Sequence, residues 1–269
     1  MRDFTLQAYE TYINLIKESG LKIITFNDLF SYKELPEEFF IIRHDVDRKP
    51  KNALRMATLE SNIGINSTYY FRSNSHVFKP EIILSIFELG HDIGYHYECL
   101  SDSGGDIDKA LDYFEKNLRT FRLICDIKTI SMHGSPLSPY NNLDMWRSDS
   151  THKMISDRFD LIGEISLDID YSNIAYINDT GRNWSSTNNN IRDNVNSNIL
   201  FNINSSDELI TYLSETIHKK IVFQIHPERW SENNLQWFIQ WLTDRFANIA
   251  KNTYSRLGES KQLVLGDLI

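Results

Sequence analysis

A chain of 269 residues with 41% hydrophobic and 24% charged residues has ample material for a core, which excludes a disordered polymer and fits one large α/β domain or two smaller ones. Its 37 acidic against 28 basic residues give a formal charge of −9, which excludes a duplex nucleic-acid surface or an anionic membrane surface as the main partner. No apolar run reaches the length of a membrane span, the opening stretch is charged where a secretion leader is apolar, and Cys99 and Cys125 form neither a CxxC nor a disulfide framework, so a cytoplasmic protein is expected.

An N-terminal helix is expected through about Lys17, stopping near Gly20, with Lys22–Phe26 as a first short strand. The apolar run Phe39-Phe40-Ile41-Ile42 then reads as a buried strand that ends in Arg43-His44-Asp45-Val46-Asp47. Alternation along a strand puts Asp45 and Asp47 on one side if the extended conformation persists. A helix from Pro50 to about Asn62 follows, then a strand at Asn66–Phe71. Pro80 opens the next helix, with Ile82, Ile83, Ile86 and Phe87 on one face and Gly90 as its stop.

The pattern continues with a strand at Asp92–Tyr97, a helix from about Asp106 to Arg122 and a strand at Thr129–His133. Strands alternating with helices of this length imply a parallel sheet or barrel. Beyond His133 the rhythm loosens, and residues 184–204 read as an irregular, Asn-rich loop. Regularity returns with a helix from Ser206 to Lys219, a strand at Ile221–His226 and a last helix carrying Trp237, Phe238, Trp241 and Leu242. No repeat or linker divides the chain, so a single domain over 1–269 is expected, with helix 1–20 packed on the barrel.

Polar residues recur at one kind of place: Asp45 and Asp47, His96 and Glu98, His133, and His226 all close predicted strands. In parallel α/β folds those ends share one face, where active sites are built. Any one of these histidines alone is more simply a structural residue; four strand ends together point to a site.

The pieces Arg43-His44-Asp45-Val46-Asp47, Gly90-His91-Asp92-Ile93-Gly94-Tyr95-His96-Tyr97-Glu98, His133-Gly134-Ser135-Pro136 and Gln224-Ile225-His226-Pro227-Glu228-Arg229-Trp230 together resemble the polysaccharide deacetylases, carbohydrate esterase family 4, as a divergent branch. The resemblance implies a distorted (β/α) barrel of seven strands and a divalent metal, zinc in typical members, used to remove N-acetyl groups from amino sugars. It implies Asp45 as general base and Asp47 as metal ligand, or the reverse, since Val46 separates acids that are adjacent in the usual motif. His96 takes the place of the first metal histidine, while Leu100 stands where the second is expected. His133 fills that gap if its strand end faces the site; Glu98 is the next candidate, and an incomplete shell is the third possibility. His226 corresponds to the histidine that protonates the leaving amine. Arg182 and Trp184 of the 179–184 loop, with Arg43, Glu98, Arg229 and Trp230, are expected to contact substrate, Trp184 and Trp230 by stacking on a sugar.

The expected function is metal-dependent removal of an N-acyl group from an intracellular amino-sugar substrate in polysaccharide or glycoconjugate biosynthesis. Two alternatives stand beside it: a metal-independent amidohydrolase on a small C–N substrate, and a non-catalytic glycan-binding relative.

Overall fold

The computed structural model describes residues 2–182, 184, 195–215, 218–243 and 245. Helix α1 (Leu6–Glu18), N-capped by the Thr5 hydroxyl, and helix α2 (Phe26–Ser31) precede the first strand, β1 (Phe39–Val46). The strand expected at Lys22–Phe26 is reduced to a single parallel bridge between Ile23 and Phe40. Its physical reason is a capping box: Thr25 and Asp28 each bond the other's backbone N–H and turn the chain into α2.

From β1 onward the alternation is regular. Helix α3 (Pro50–Ile63) leads to β2 (Thr68–Phe71), α4 (Pro80–Glu88) to β3 (Asp92–Tyr97), and the short α5 (Cys99–Asp102) with α6 (Ile107–Arg122) to β4 (Thr129–Met132). Proline opens both α3 and α4, where a missing N–H costs nothing. The Asp106 side chain caps α6, whose last turn carries Arg119 and Arg122 against the helix dipole. Two glycines of the Gly-His-Asp-Ile-Gly stretch have distinct steric causes. Gly90 turns the chain at φ 94°, and a Cβ on Gly94 would lie 2.2 Å from the Tyr70 ring.

The loosely patterned middle contains more structure than its composition suggested. A 3₁₀ turn at Asn142–Trp146 and helix α7 (Asp149–Asp157) precede two short strands, β5 (Gly163–Glu164) and β6 (Ala175–Asn178). Helix α8 is described over Ser206–Glu215; residues 216–217 of its expected extension lie outside the described residues and 218–219 are not helical, while 185–194 of the expected 184–204 loop also lie outside the described residues. Strand β7 (Lys220–Ile225) completes the sheet, and residues 234–243 are helical.

All seven strands are parallel, in the order β5-β4-β3-β2-β1-β7-β6. The sheet curls into a distorted (β/α) barrel left open between its two edge strands, β5 and β6. Strand β1 is central and buried along its whole length, which is why it reads as a continuous apolar run rather than an alternating one. Its side chains divide between the two faces. Phe39 and Ile41 join the inner cluster with Tyr70, Tyr176 and Val222, whereas Phe40 and Ile42 pack outward with α1 residues Tyr9, Tyr12 and Ile13. Because every strand runs the same way, residues just past β1, β2, β3, β4, β6 and β7 are gathered on one rim. Among the described residues no helix is long and apolar enough to cross a membrane.

Candidate active site

Two inward residues near the end of β1 build the base of the site. Arg43 is fully buried, donating to Asp45 Oδ1 from Nε at 2.7 Å and to Oδ2 from a terminal nitrogen at 2.8 Å. The same guanidinium donates to the Tyr176 hydroxyl and to Ser131 Oγ, which holds its plane against β4 and β6. Gln224, two residues before His226 on β7, donates to Asp45 Oδ2 at 2.6 Å. Burial alone would raise the Asp45 carboxyl; the Arg43 charge and hydrogen bonds, with His96, outweigh it and hold Asp45 below the usual carboxylate range. Arg43 is therefore a positioning residue with no face left for substrate, which corrects the expectation that it binds one.

Asp47 lies just past β1, its amide hydrogen-bonded to the Asp45 carbonyl at 3.2 Å. His96, from β3, places Nε2 3.6 Å from Asp45 Oδ2 and 3.5 Å from Asp47 Oδ1. His133, immediately after β4, places Nε2 3.6 Å from Asp47 Oδ2. Each imidazole is anchored through its other nitrogen. His96 Nδ1 donates to the Ser131 carbonyl at 3.0 Å, and His133 Nδ1 donates to Glu98 Oε2 at 2.9 Å. This anchoring turns both Nε2 atoms toward Asp47, as the rings of metal-binding histidines are oriented through their other nitrogen.

Donor atoms of a four-coordinate zinc lie ~3.3 Å apart, from bonds of about 2.0–2.1 Å. Among the described residues no group of three such donors closes on a common point as it stands; the approach is pairwise, through Asp47. The donor chemistry nevertheless fits a divalent cation. Asp47 Oδ1 is buried without a hydrogen-bond partner, and one carboxylate with two correctly poised imidazoles is a three-ligand set. Burial pushes Asp47 up and His133 down, but their mutual attraction reverses both: Asp47 sits well below its usual range and His133 is raised to about 9.

Glu98 closes β3 and is nearly buried, bonded by Arg72 Nε at 2.9 Å and by an Arg72 terminal nitrogen at 2.6 Å. It orients His133 and also lines the cleft beside Asp47. Leu100 is buried in the hydrophobic cluster that holds α6 residues Ala110, Leu111 and Phe114.

The opposite wall carries His226, just past β7. Asp179, at the end of β6, accepts from His226 Nδ1 at 2.6 Å, from the His226 amide at 3.0 Å and from Trp230 Nε1 at 3.1 Å. Burial lowers an imidazole, but the Asp179 charge wins and raises His226 to about 9, so it is an imidazolium near neutral pH. Arg229 donates to the Asp179 carbonyl at 3.0 Å and braces this pair from behind.

The two tryptophans expected to stack on a sugar do not line the site. Trp184 is 1% exposed, its ring parallel to Phe4 at 5.1 Å, and Trp230 is fully buried against Phe4, Tyr9 and Tyr12. Both bury their area where α1 meets the barrel, the larger return for an indole. Arg182 lies with them, over the Phe4 ring at 4.3 Å and the Trp237 ring at 5.3 Å. These packing roles correct the expected substrate contacts.

Residues that sequence reasoning left without a role complete the site: Arg72, Ser131, Asp179 and Gln224. The signal for Gln224 was its place two residues before His226 on one strand face, and for Asp179 the short run Ala-Tyr-Ile-Asn before an acid. A cleft of about 690 Å³ opens beside Asp47, lined by Arg48, Arg72, Asn74, Glu98 and Asn117 among others. Its lining residues are all of polar or charged types, and the imidazole of His76 is the aromatic ring among them.

No family model matches this chain, and no curated protein matches it. Among solved structures it is similar to a CE4 family pseudoenzyme from Bacillus anthracis, at 12% identity and a TM-score of 0.45, covering 78% of this chain and 62% of that one. A mutant of the same pseudoenzyme with restored enzymatic activity is similar at 12% identity and 0.45, covering 81% and 64%. This chain thus spans about three fifths of their length. A family 4 carbohydrate esterase from Bacillus anthracis is similar at 9% identity and a TM-score of 0.40, covering 89% and 86%. Likeness at this level assigns no chemistry.

Proposed function

We propose that the protein is a metal-dependent hydrolase that removes an N-acyl group, acetyl in the simplest case, from an amino sugar. One observation carries this reading: two histidines anchored through Nδ1 turn their Nε2 atoms to Asp47, across from an imidazolium held by Asp179. Asp47, His96 and His133 would hold the cation. When bound, it supplies Lewis-acid polarisation of the acyl carbonyl and makes water a better nucleophile near neutral pH.

The protein's own residues account for the remaining chemistry. Asp45, fixed by Arg43 and Gln224, orients the attacking water and accepts its proton. His226, charged and pinned by Asp179, gives its proton to the amine nitrogen as the C–N bond breaks. Arg48, Asn74 and Asn117 offer hydrogen bonds to sugar hydroxyls along the cleft. The glycan-binding alternative loses the two stacking platforms it relied on, because Trp184 and Trp230 are core residues.

The test is zinc content and hydrolysis of N-acetylated amino sugars by the full chain, alongside His96→Ala and Asp47→Ala. Metal content unchanged in both variants sinks the site. Turnover surviving exhaustive chelation moves the protein to the metal-independent alternative.

A further inference from the structure

Pleating aims side chains from three adjacent strands, β1, β7 and β6, at one buried point under the rim. Arg43 of β1 pairs in register with Gln224 of β7, and Asn178 of β6 pairs with Gln224 from the other side. Tyr176, two residues before Asn178, therefore faces inward with it, among the inner cluster of Ile41, Tyr70 and Val222. Its ring is buried and meets the Tyr171 ring edge-on at 5.5 Å, which holds it in place. The Tyr176 hydroxyl accepts from Arg43 at 2.8 Å and donates to Gln224 Oε1 at 2.9 Å. The Gln224 amide nitrogen donates to Asp45 Oδ2 at 2.6 Å, and Arg43 donates to both Asp45 oxygens. These four side chains close a ring of hydrogen bonds around the carboxylate.

A glutamine amide has a donating and an accepting end of nearly the same shape, so packing alone does not choose between them. The groups on either side do. A guanidinium only donates, so the Tyr176 hydroxyl takes Arg43 on a lone pair and has its one proton to give. That proton calls for the amide oxygen, while an ionised carboxylate, which only accepts, calls for the amide nitrogen. We propose that Tyr176 is a positioning residue for Asp45: its hydroxyl sets which end of the Gln224 amide faces the carboxylate. Without the hydroxyl the amide oxygen loses this donor, and the amide is free to turn. Turned, it sets two acceptor oxygens against each other in a buried place, and Asp45 gives way from its aim. Tyr176 thus acts on the orientation of the base and not on binding of substrate. Asp45 as a hydrolytic base rests on the reading above; the ring of hydrogen bonds does not.

The test compares the full chain with Tyr176→Phe, which keeps the ring against Tyr171 and removes only the hydroxyl. In the proton–nitrogen spectrum of isotope-labelled protein, the Gln224 side-chain amide is identified by its loss in Gln224→Leu. In the parent it should show one proton shifted downfield and protected from solvent exchange. In Tyr176→Phe that shift and protection should be lost; an unchanged signal overturns the proposal. In hydrolysis of an N-acetylated amino sugar, kcat should fall on the order of 10- to 100-fold with KM unchanged, as for a misaimed catalytic group. A kcat equal to the parent's overturns it as well. A parent with no hydrolysis sinks the functional reading, and the amide signal still decides what Tyr176 does. If Tyr176→Phe does not fold, neutron density of a deuterated parent crystal decides: a hydroxyl deuteron on Gln224 Oε1 supports the assignment, and one aimed elsewhere overturns it.

Discussion

The two faces of β1 carry similar residues to opposite ends. Inward, Arg43 and Asp45 lead to the rim cluster; outward, His44 meets a second cluster of His91, Glu60, Ser67, Tyr9 and Tyr69. Glu60 Oε1 accepts from His44 Nε2 at 2.6 Å and from the Tyr9 hydroxyl; Oε2 accepts from Ser67 Oγ at 2.6 Å and from the Tyr69 hydroxyl at 2.9 Å. His91 is tied to Ser67 and to the Ala57 carbonyl, and His44 is stacked on Tyr69 at 4.1 Å. Every Glu60 lone pair is used and nothing reaches solvent, so this Ser-His-Glu grouping is a fastener for α1, α3 and the sheet. The rim leaves oxygens of Asp47 and Glu228 unpartnered. Filling of every lone pair at Glu60 suits a fastener, and the open oxygen of Asp47 suits a ligand for a cation.

That contrast predicts that rim variants lose function and keep the fold, while variants of the outer cluster do the reverse. The largest effect belongs to Asp47→Ala and His96→Ala: zinc measured by elemental analysis falls to background, hydrolysis of an N-acetylated amino sugar goes with it, and the melting temperature stays near the parent's. Next, Asp179→Asn removes the charge that keeps His226 protonated. It should lower kcat by about 10²- to 10⁴-fold, the usual share of a general acid, and shift the alkaline limb of the pH–rate profile downward. An unshifted profile assigns the proton to another group.

On the outer face, Glu60→Ala strands His44 and two tyrosine hydroxyls and should cost about 3–5 kcal/mol in urea unfolding. Zinc stoichiometry of the folded fraction should be unchanged. The smallest effect is the acid response. Burial works to raise Glu60, but His44 overrides it and holds the carboxyl at about 2 in the folded state, against an unfolded value of 4.5. The stability this provides is present above pH 4.5 and is lost as pH falls from there toward about 2, amounting to roughly 3 kcal/mol. Glu60→Gln should flatten that part of the stability curve; a curve that stays as steep places the acid sensitivity elsewhere.

Much of the barrel was legible because parallel strands buried on both faces, and helices opened by Pro50, Pro80 and Asp106, leave strong local marks. The middle was not. Strand β5 has two residues, too few for a pattern, and β5 and β6 are each held by a neighbour in the sheet, β4 and β7. The rim histidines could be picked out as strand-end residues, and the structure brings His96 and His133 to Asp47 and leaves His226 opposite them. The tryptophans misled for a physical reason: an indole near a loop looks available in sequence, and its burial depends on α1, a remote segment that folds over it.

By itself the sequence determined which residues end strands, and with them which chemistry-bearing side chains share a rim, because strand direction and period follow from local pattern. Only the tertiary structure decided which acids are satisfied. Glu60 is surrounded by donors drawn from distant segments, whereas Asp47 keeps an unpartnered oxygen. Whether a carboxylate fastens a fold or serves a site is set by the partners that long-range packing brings to it, and no spacing along the chain records them.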